Sequence, residues 1–342
     1  MKNISIIVPV YNAEKTIERT LASFISNKDY IKEIILVNDR STDNTFDKIE
    51  NFKSFFDIKI IDNTGEKGPG PGRKTGLLAA TGEWITFVDA DDCLTPNSLH
   101  YVAQQLALYS DLALLHCETI YYEIGNFDHN EGVHHDDTSC GGNFYKRDYL
   151  IEHNLFPHDI LFMSEDEYFN HIVIQYINIC DMQDTSDLIQ YFDYPVYEVH
   201  HDNSSSFALS NWIDYIYHYH IICYQYVIQF FKQHAPYALA ELKNSFIHNL
   251  IFSYFLILGL EQDKNLEFSK SLQDFYDAVS FFETEFHTSK KELLEYYSKH
   301  TKIVSNLRAG ASLSLGFDIQ LDSNNSFLNV LNKTCNFKKF LI

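Results

Sequence analysis

Residues 85–92 read Ile-Thr-Phe-Val-Asp-Ala-Asp-Asp, an apolar run that stops on three carboxylates, Asp89, Asp91 and Asp92. No other stretch limits the fold so sharply. A strand buried on both faces tolerates no unpaired charge, so the acids must emerge where the strand ends and solvent or ligand begins. Open α/β sheets bind ligands at that edge, outside the carboxyl ends of the strands. Carboxylates spaced in this way can hold a hard divalent cation, which in turn can bridge a diphosphate. An acidic loop capping the helix that Pro96 starts accounts for the same residues with no ligand.

Upstream residues supply a matching scaffold. Ile4 to Val8 is a short β-branched run, broken by Pro9, Val10, Tyr11 and Asn12. From Glu14 to Ile25 the apolar residues Ile17, Leu21, Phe24 and Ile25 recur at helical spacing. A second strand, Glu33 to Val37, ends in Asn38-Asp39-Arg40-Ser41-Thr42-Asp43, where Ser41 or Asp43 can cap the next helix. A third, Ile58 to Ile61, precedes a Gly/Pro-rich loop and a helix over Thr75 to Ala80. Strand and helix alternate at the pace of βαβ units, which implies a mostly parallel, Rossmann-like sheet flanked by helices. Pro9, Tyr11, Asp39 and the acids after Val88 then share one edge.

The loop from Gly65 to Gly76 invites comparison with a phosphate-binding P-loop. That motif needs Gly directly before the Lys, so that bare amides wrap the phosphate. Arg73 occupies that place. The glycines are read instead as permitting a tight backbone path, with Arg73 and Lys74 as a cationic handle.

Taken together, Ser5-Ile-Ile-Val-Pro-Val-Tyr-Asn12, Val37-Asn-Asp-Arg-Ser-Thr-Asp43, Arg73-Lys-Thr-Gly76, Ala80-Thr-Gly-Glu83 and Phe87-Val-Asp-Ala-Asp-Asp92 resemble, in order and spacing, the motifs of glycosyltransferase family 2. The resemblance covers about residues 1–105 strongly and reaches more weakly to about residue 210. It implies a GT-A fold and transfer of a sugar, with inversion, from a nucleotide diphosphate, usually UDP. It assigns Pro9 and Tyr11 to the uridine, Asp39 to uracil, and Arg73 to the base and phosphates. Asp89 is expected at the ribose or donor sugar, and Asp91 on Mn²⁺ or Mg²⁺. Asn38 stands where an acid is usual, and Lys74-Thr75 replaces an Asn-centred pair.

An inverting transfer also needs a general base. Ser164-Glu165-Asp166-Glu167-Tyr168-Phe169 resembles the family's Glu-Asp pair, which makes Asp166 the expected base and Glu165 a donor-sugar contact. An acidic first helical turn favoured by the macrodipole is the plainer account of the same residues. Cys140-Gly-Gly-Asn-Phe-Tyr-Lys-Arg147 resembles the small-residue turn before the acceptor-side helix. In Val199-His-His-Asp-Asn-Ser-Ser-Ser206, the resemblance points to His201 as a further metal ligand and to Ser204 and Ser206 at the donor phosphates. His134-His135-Asp136-Asp137 has a metal-like composition but no supporting spacing, and reads as a polar loop.

Charge bears on mechanism. The formal net charge is −21, nearly all of it within residues 1–210. No Lys or Arg occurs between Lys74 and Lys146, nor between Arg147 and Lys232. A field of that sign repels a dianionic diphosphate unless a bound divalent cation reverses the local charge. Metal dependence, a neutral glycan or glycosylated acceptor, and no nucleic-acid partner are the expectations. Six cysteines without paired spacing read as reduced thiols. The N-terminal run is too short for a signal peptide, and no apolar run reaches the roughly 20 residues of a membrane span. A cytoplasmic enzyme follows, with Lys333, Lys338 and Lys339 beside Phe337, Phe340 and Leu341 as a weak signal for peripheral membrane contact.

Beyond about residue 210 the pattern turns helical and aromatic. The expected divisions are 1–105, the nucleotide-sugar half; 106–210, the acceptor-side half; and 211–342, a helical C-terminal domain. Helices are expected over Trp212–Phe231, Tyr237–Leu260, Asp274–Phe286 and Lys290–Ile303. The tyrosines at 215, 217, 219, 224 and 226 suit core or homodimer packing better than glycan stacking. Two rivals accompany the transferase reading. A sugar-phosphate nucleotidyltransferase calls for a Gly-rich, Lys/Arg-bearing segment at the first strand, which Pro9 to Asn12 do not offer. A non-catalytic carbohydrate-binding or scaffold protein has no need to keep Asp91 or Asp166.

Overall fold

The computed structural model describes residues 3–109, 111–122, 133–134, 139–159, 161, 164–180, 188–200, 212–262, 269–302, 304–305 and 308. The backbone divides into two compact units, residues 1–206 and 207–342.

The first unit is built on one mixed sheet. Its strands are β1 (Ile4–Val10), β2 (Ile31–Asn38), β3 (Ile58–Asp62), β4 (Trp84–Phe87), β5 (Cys93–Leu94), β6 (Leu114–Tyr122), β7 (Val133–His134), β8 (Asn143–Lys146) and β9 (Ile189–His200). They lie in the order β3-β2-β1-β4-β8-β6-β9-β5, with β7 on β6. The first four are parallel to one another. Past β4 the sheet is mixed: β8 runs antiparallel to β4 and β6, while β9 is parallel to β6. Only the parallel part was legible from the alternation of strands and helices. Pairing through β8 and β9 joins segments whose spacing along the chain carries no such rhythm.

β1 shows why its apolar run is continuous. Ile4, Ile6, Ile7 and Val8 are all fully buried. Ile4, Ile6, Val8 and Val10 share a core with Leu21 of α1 (Ile17–Ser23), Phe24, and Val102 and Leu106 of α3 (Ser98–Leu108). Ile7 points to the other face, beneath Gly76 of α2 (Pro69–Ala79), where a Cβ on the glycine would collide with it. Full burial of each such side chain contributes about 1.5–3 kcal/mol.

The stretch read as a Gly/Pro loop is in fact largely helix. α2 begins at Pro69, six residues before the expected start. Proline is suited to the first helical turn, because its missing N–H has no partner there and its φ is already helical. The glycines, normally unfavourable in a helix, are kept by crowding: a Cβ at Gly70 would lie 2.5 Å from the carbonyl oxygen of His158. His134, read as part of a loop, pairs with Thr119 in the short β7–β6 ladder.

The second unit contains α6 (Trp212–His234), α7 (Leu239–Gln262), α8 (Ser269–Glu285) and α9 (Lys290–Lys299). All four expected helices are there, with ends shifted by a few residues. Ile228, Phe246, Leu250, Ile251, Tyr254, Phe275, Phe282 and Leu293 form its core. Tyr224 packs against that core, whereas the side chains at 215, 217 and 219 lie outside the described ones. Among the described residues no helix is long and apolar enough to cross a membrane, and Cys93, Cys117, Cys140, Cys180 and Cys223 are free thiols.

Candidate functional site

The parallel strands end in register. Asp39 N–H donates to the Val10 carbonyl at 2.8 Å, and Val88 N–H to that of Ile7 at 3.0 Å. Tyr11, Asp39 and Asp89 therefore leave the sheet along one edge, as the motif positions imply. Three further groups join them: the 63–68 turn, the start of α2, and the start of α5 (Glu165–Cys180), the helix that follows the short α4 (Arg147–Glu152).

Asp39 is buried and organises the first of these. Its Oδ1 accepts from Arg40 Nη1 at 2.7 Å and Asn63 Nδ2 at 2.8 Å, and its Oδ2 from Gly68 N–H at 2.9 Å. A carboxylate oxygen has two acceptor directions, so Oδ2 retains capacity for one more donor. Half-exposed Tyr11 stands beside this turn, with Lys67 Nζ 3.7 Å above its ring centroid. Pro9 is partly buried, paired in register with Val37.

Arg73 is not the solvent-facing cation that its sequence suggested. It is 4% exposed, with Nη2 2.7 Å from Asp89 Oδ1 and Nη1 2.5 Å from Glu165 Oε1. Burial works against its charge, but Asp89 and then Glu165 more than offset that and hold the guanidinium well above its ordinary pKa. Two carboxylates thus consume its charge. Lys74 is likewise paired, with Asp159 at 2.5 Å. The Asp89 carboxylate remains half exposed on its other side.

The acidic turn is held through its main chain. Thr20 Oγ1 donates to the Ala90 carbonyl at 3.0 Å, and Arg19 Nη2 to that of Asp91 at 2.6 Å. Asp92 is buried and faces inward, accepting from Tyr197 Oη at 2.7 Å and from His200 N–H at 2.9 Å. Burial, then the charges of Asp89 and Asp91, raise its carboxyl well above the usual range. Of the three acids, Asp92 is thus turned inward, while the Asp89 carboxylate is paired with Arg73 on one side and half exposed.

α5 begins directly after Ser164, whose φ of 55° is left-handed, an unusual conformation outside glycine that clusters at functional sites. Glu165, Asp166 and Glu167 fill its first turn. Asp166 is partly buried, with Oδ1 accepting its neighbour's N–H from Glu167 at 2.9 Å. Burial and then the Glu165 charge push its carboxyl well above the ordinary range, against the pull of Arg73. A carboxylate so raised is a stronger proton acceptor near neutral pH. Cys140 Sγ lies 3.9 Å from the Asp166 carbonyl oxygen.

His201, Ser204 and Ser206 lie outside the described residues. Among the described residues no group of three or more His, Cys, Asp or Glu side chains is gathered for a metal ion. Mg²⁺ needs only one or two carboxylates of a protein when a diphosphate supplies the other oxygens, and the acidic turn has carboxylates of that kind at Asp89 and Asp91. Sequence reasoning missed Arg19, Asn63, Lys67 and Tyr197. Each lies in a segment of ordinary amphipathic or turn composition, which carries no signal of its own.

Residues 5–172 match the family model for glycosyl transferase family 2. Over 103 residues, 29% of this chain, the sequence is 37% identical to poly(ribitol-phosphate) beta-N-acetylglucosaminyltransferase TarS of Staphylococcus aureus, and that match spans only 18% of the relative. UDP-Glc:alpha-D-GlcNAc-diphosphoundecaprenol beta-1,3-glucosyltransferase WfgD of Escherichia coli is 38% identical over 96 residues, 28% of this chain and 38% of that one. The crystal structure of S. aureus TarS 1–349 in complex with UDP-GlcNAc superposes with a TM-score of 0.56 at 18% identity, over 94% of each chain.

Proposed function

Because the chain belongs, through residues 5–172, to glycosyltransferase family 2, we propose that it moves a hexosyl or N-acetylhexosaminyl group from a UDP-sugar to an acceptor hydroxyl, with inversion. The observation that carries this reading is the meeting, at one sheet edge, of Tyr11 and Asp39 with the carboxylates of the acidic turn and the raised carboxyl of Asp166. Tyr11 and Asp39 follow the ends of β1 and β2, Asp89 and Asp91 follow β4, and Asp166 lies in the first turn of α5. The TarS neighbour was crystallised with UDP-GlcNAc, in keeping with a uridine donor.

Each residue then has a task. Tyr11 presents its ring to the base, and Asp39 Oδ2 accepts from the uracil N3–H. Asp89, fixed by Arg73, faces the ribose or donor sugar. Asp91, with His201 as a further candidate ligand, would hold Mn²⁺ or Mg²⁺. When bound, that ion supplies positive charge to the departing diphosphate. Arg73 is already neutralised, so the chain has few cations of its own for that purpose. Asp166 takes the proton from the acceptor hydroxyl as the oxygen attacks the anomeric carbon. Glu165 keeps Asp166 in place through its pair with Arg73.

The acceptor in this reading is neutral. Lys74, which precedes the first cation-free stretch, and Arg147, which precedes the second, are each paired with a carboxylate. Between water-like and surface dielectrics, each uncompensated like-charge contact at 4 Å costs about 1 to 4 kcal/mol. TarS is named for a poly(ribitol phosphate) acceptor, so the two possibilities separate cleanly by experiment. A screen of UDP-sugars with Mn²⁺, followed by a panel of neutral oligosaccharides and phosphate-rich polymers, tests the whole reading. UDP release from one donor, and transfer to a neutral acceptor, is the expected result. No turnover of any UDP-sugar overturns the donor assignment; preference for the polymer, weakening as salt rises, overturns the acceptor assignment.

A further inference from the structure

Tyr197 sits 2% exposed in the middle of β9, opposite Leu94 of β5 and beside Thr119 of β6. Its hydroxyl serves the acidic turn twice. It accepts the N–H of Asp89 at 3.1 Å and donates to Asp92 Oδ2 at 2.7 Å. The other Asp92 oxygen accepts the N–H of His200, the last residue of β9. One phenol therefore spans the turn that carries Asp91, bonding to Asp89 at one end of it and Asp92 at the other. Its ring is equally constrained. A Cβ at Gly141 would come within 2.5 Å of it, so the ring packs directly on the backbone that leads from Cys140. Cys140 in turn faces the Asp166 carbonyl.

We infer that Tyr197 is a positioning residue that sets the main chain of the Asp89–Asp92 turn, and with it the approach of Asp91 to the donor diphosphate. This rests on the proposed donor reading. Without the hydroxyl, the partly buried N–H of Asp89 loses its acceptor and the Asp92 carboxyl keeps only the His200 N–H. The Val88–Asp89 peptide then loses this anchor, the turn is held only further along by Thr20 and Arg19, and the carboxylates on either side of Ala90 shift with it. A buried polar group left unpaired relaxes toward whatever partner it can reach. The turn is the place where a small rotation changes how two carboxylates meet one ligand.

The test compares wild type with Tyr197→Phe, Asp92→Asn and a control, Tyr145→Phe. Tyr145 is also fully buried, and its hydroxyl donates to Asn170 Oδ1 without touching the acidic turn. UDP affinity is measured by calorimetry with and without Mn²⁺, alongside thermal melting and donor KM and kcat. For Tyr197→Phe the expected result is UDP binding in Mn²⁺ weakened about tenfold, the scale of one lost hydrogen bond, with metal-free binding unchanged. Tyr145→Phe should melt lower by a similar margin yet bind UDP as wild type does. Equal affinity in wild type and Tyr197→Phe overturns the inference alone, as does equal weakening in Tyr145→Phe. If Tyr197→Phe does not fold, Asp92→Asn decides in its place, with the same two outcomes. A wild type that binds no UDP overturns the donor reading, and this inference with it.

Discussion

The guanidinium of Arg73 lies 2.5 Å from the carboxylate of Glu165, a residue 92 positions further along the chain. That contact ties the helix after the third strand to the first turn of α5, beside the proposed base. Arg73 also holds Asp89, so one buried cation sets the spacing between the acidic turn and the first turn of α5. Its role is architectural before it is electrostatic.

Glu165→Gln should therefore cost more than a surface pair. It leaves a buried guanidinium with Asp89 alone, and breaking a buried ion pair typically costs about 3 kcal/mol or more. Urea unfolding with an unchanged m-value would register it. A midpoint equal to that of wild type would mean that Arg73 finds a substitute partner.

Asp91→Ala should lose transfer by ~10²-fold, the scale of one lost electrostatic stabiliser. The wild type should lose activity in EDTA and regain it with Mn²⁺ or Mg²⁺. Full turnover in metal-free buffer would show that the acidic turn has another purpose.

Asp166→Asn keeps the shape but cannot take a proton. UDP binding should persist while transfer falls ~10²-fold, the usual contribution of a general base. The pH profile provides a second check. The base must be ionised, and its pKa is raised, so transfer should climb with pH through a limb above the ordinary carboxylate range of about 4. In Asp166→Asn that limb should vanish. An unchanged limb would assign the proton transfer elsewhere, with Glu167 the next candidate.

Away from the site, Glu33 joins β1, β2 and β3. Its carboxylate accepts from Ser5 Oγ at 2.7 Å, Lys59 Nζ at 2.5 Å and Thr81 N–H at 2.7 Å. Burial alone would raise its pKa; these hydrogen bonds bring it down to about 2 instead. A depressed folded-state pKa stabilises the fold above the unfolded value of about 4.3, and that stability is lost as pH falls toward 2. Lys59 is 40% exposed, so screening reduces the pair, and Glu33→Gln should cost about 2 kcal/mol at neutral pH. The gap between variant and wild type should narrow in melts run below pH 4. A constant gap would assign the loss to packing.

Much of the donor half could be read directly. The apolar runs at Ile4, Glu33 and Ile58 became adjacent parallel strands because each was long enough and bounded by turn residues. The acids after Val88 emerged at the strand end because desolvated charge cannot stay inside. The start of α2 was misjudged because glycine and proline usually mark loops, yet at Pro69 and Gly70 they serve a helix crowded against its neighbours. Ser164 offered no cue either, since nothing in a serine announces a positive φ.

Local pattern thus settled the parallel strands, the C-terminal helices and where carboxylates gather, because hydrophobic period and the cost of burying charge act over a few residues. Which of those charges still face a ligand was decided by the tertiary structure. Arg73 looked like a free cation until Asp89 and Glu165 closed on it, and Asp92, given no role of its own in the sequence, proved to be held by Tyr197 and His200. Those partners come from distant parts of the chain. The free energy of a buried charge depends on them, and no short stretch of sequence contains them.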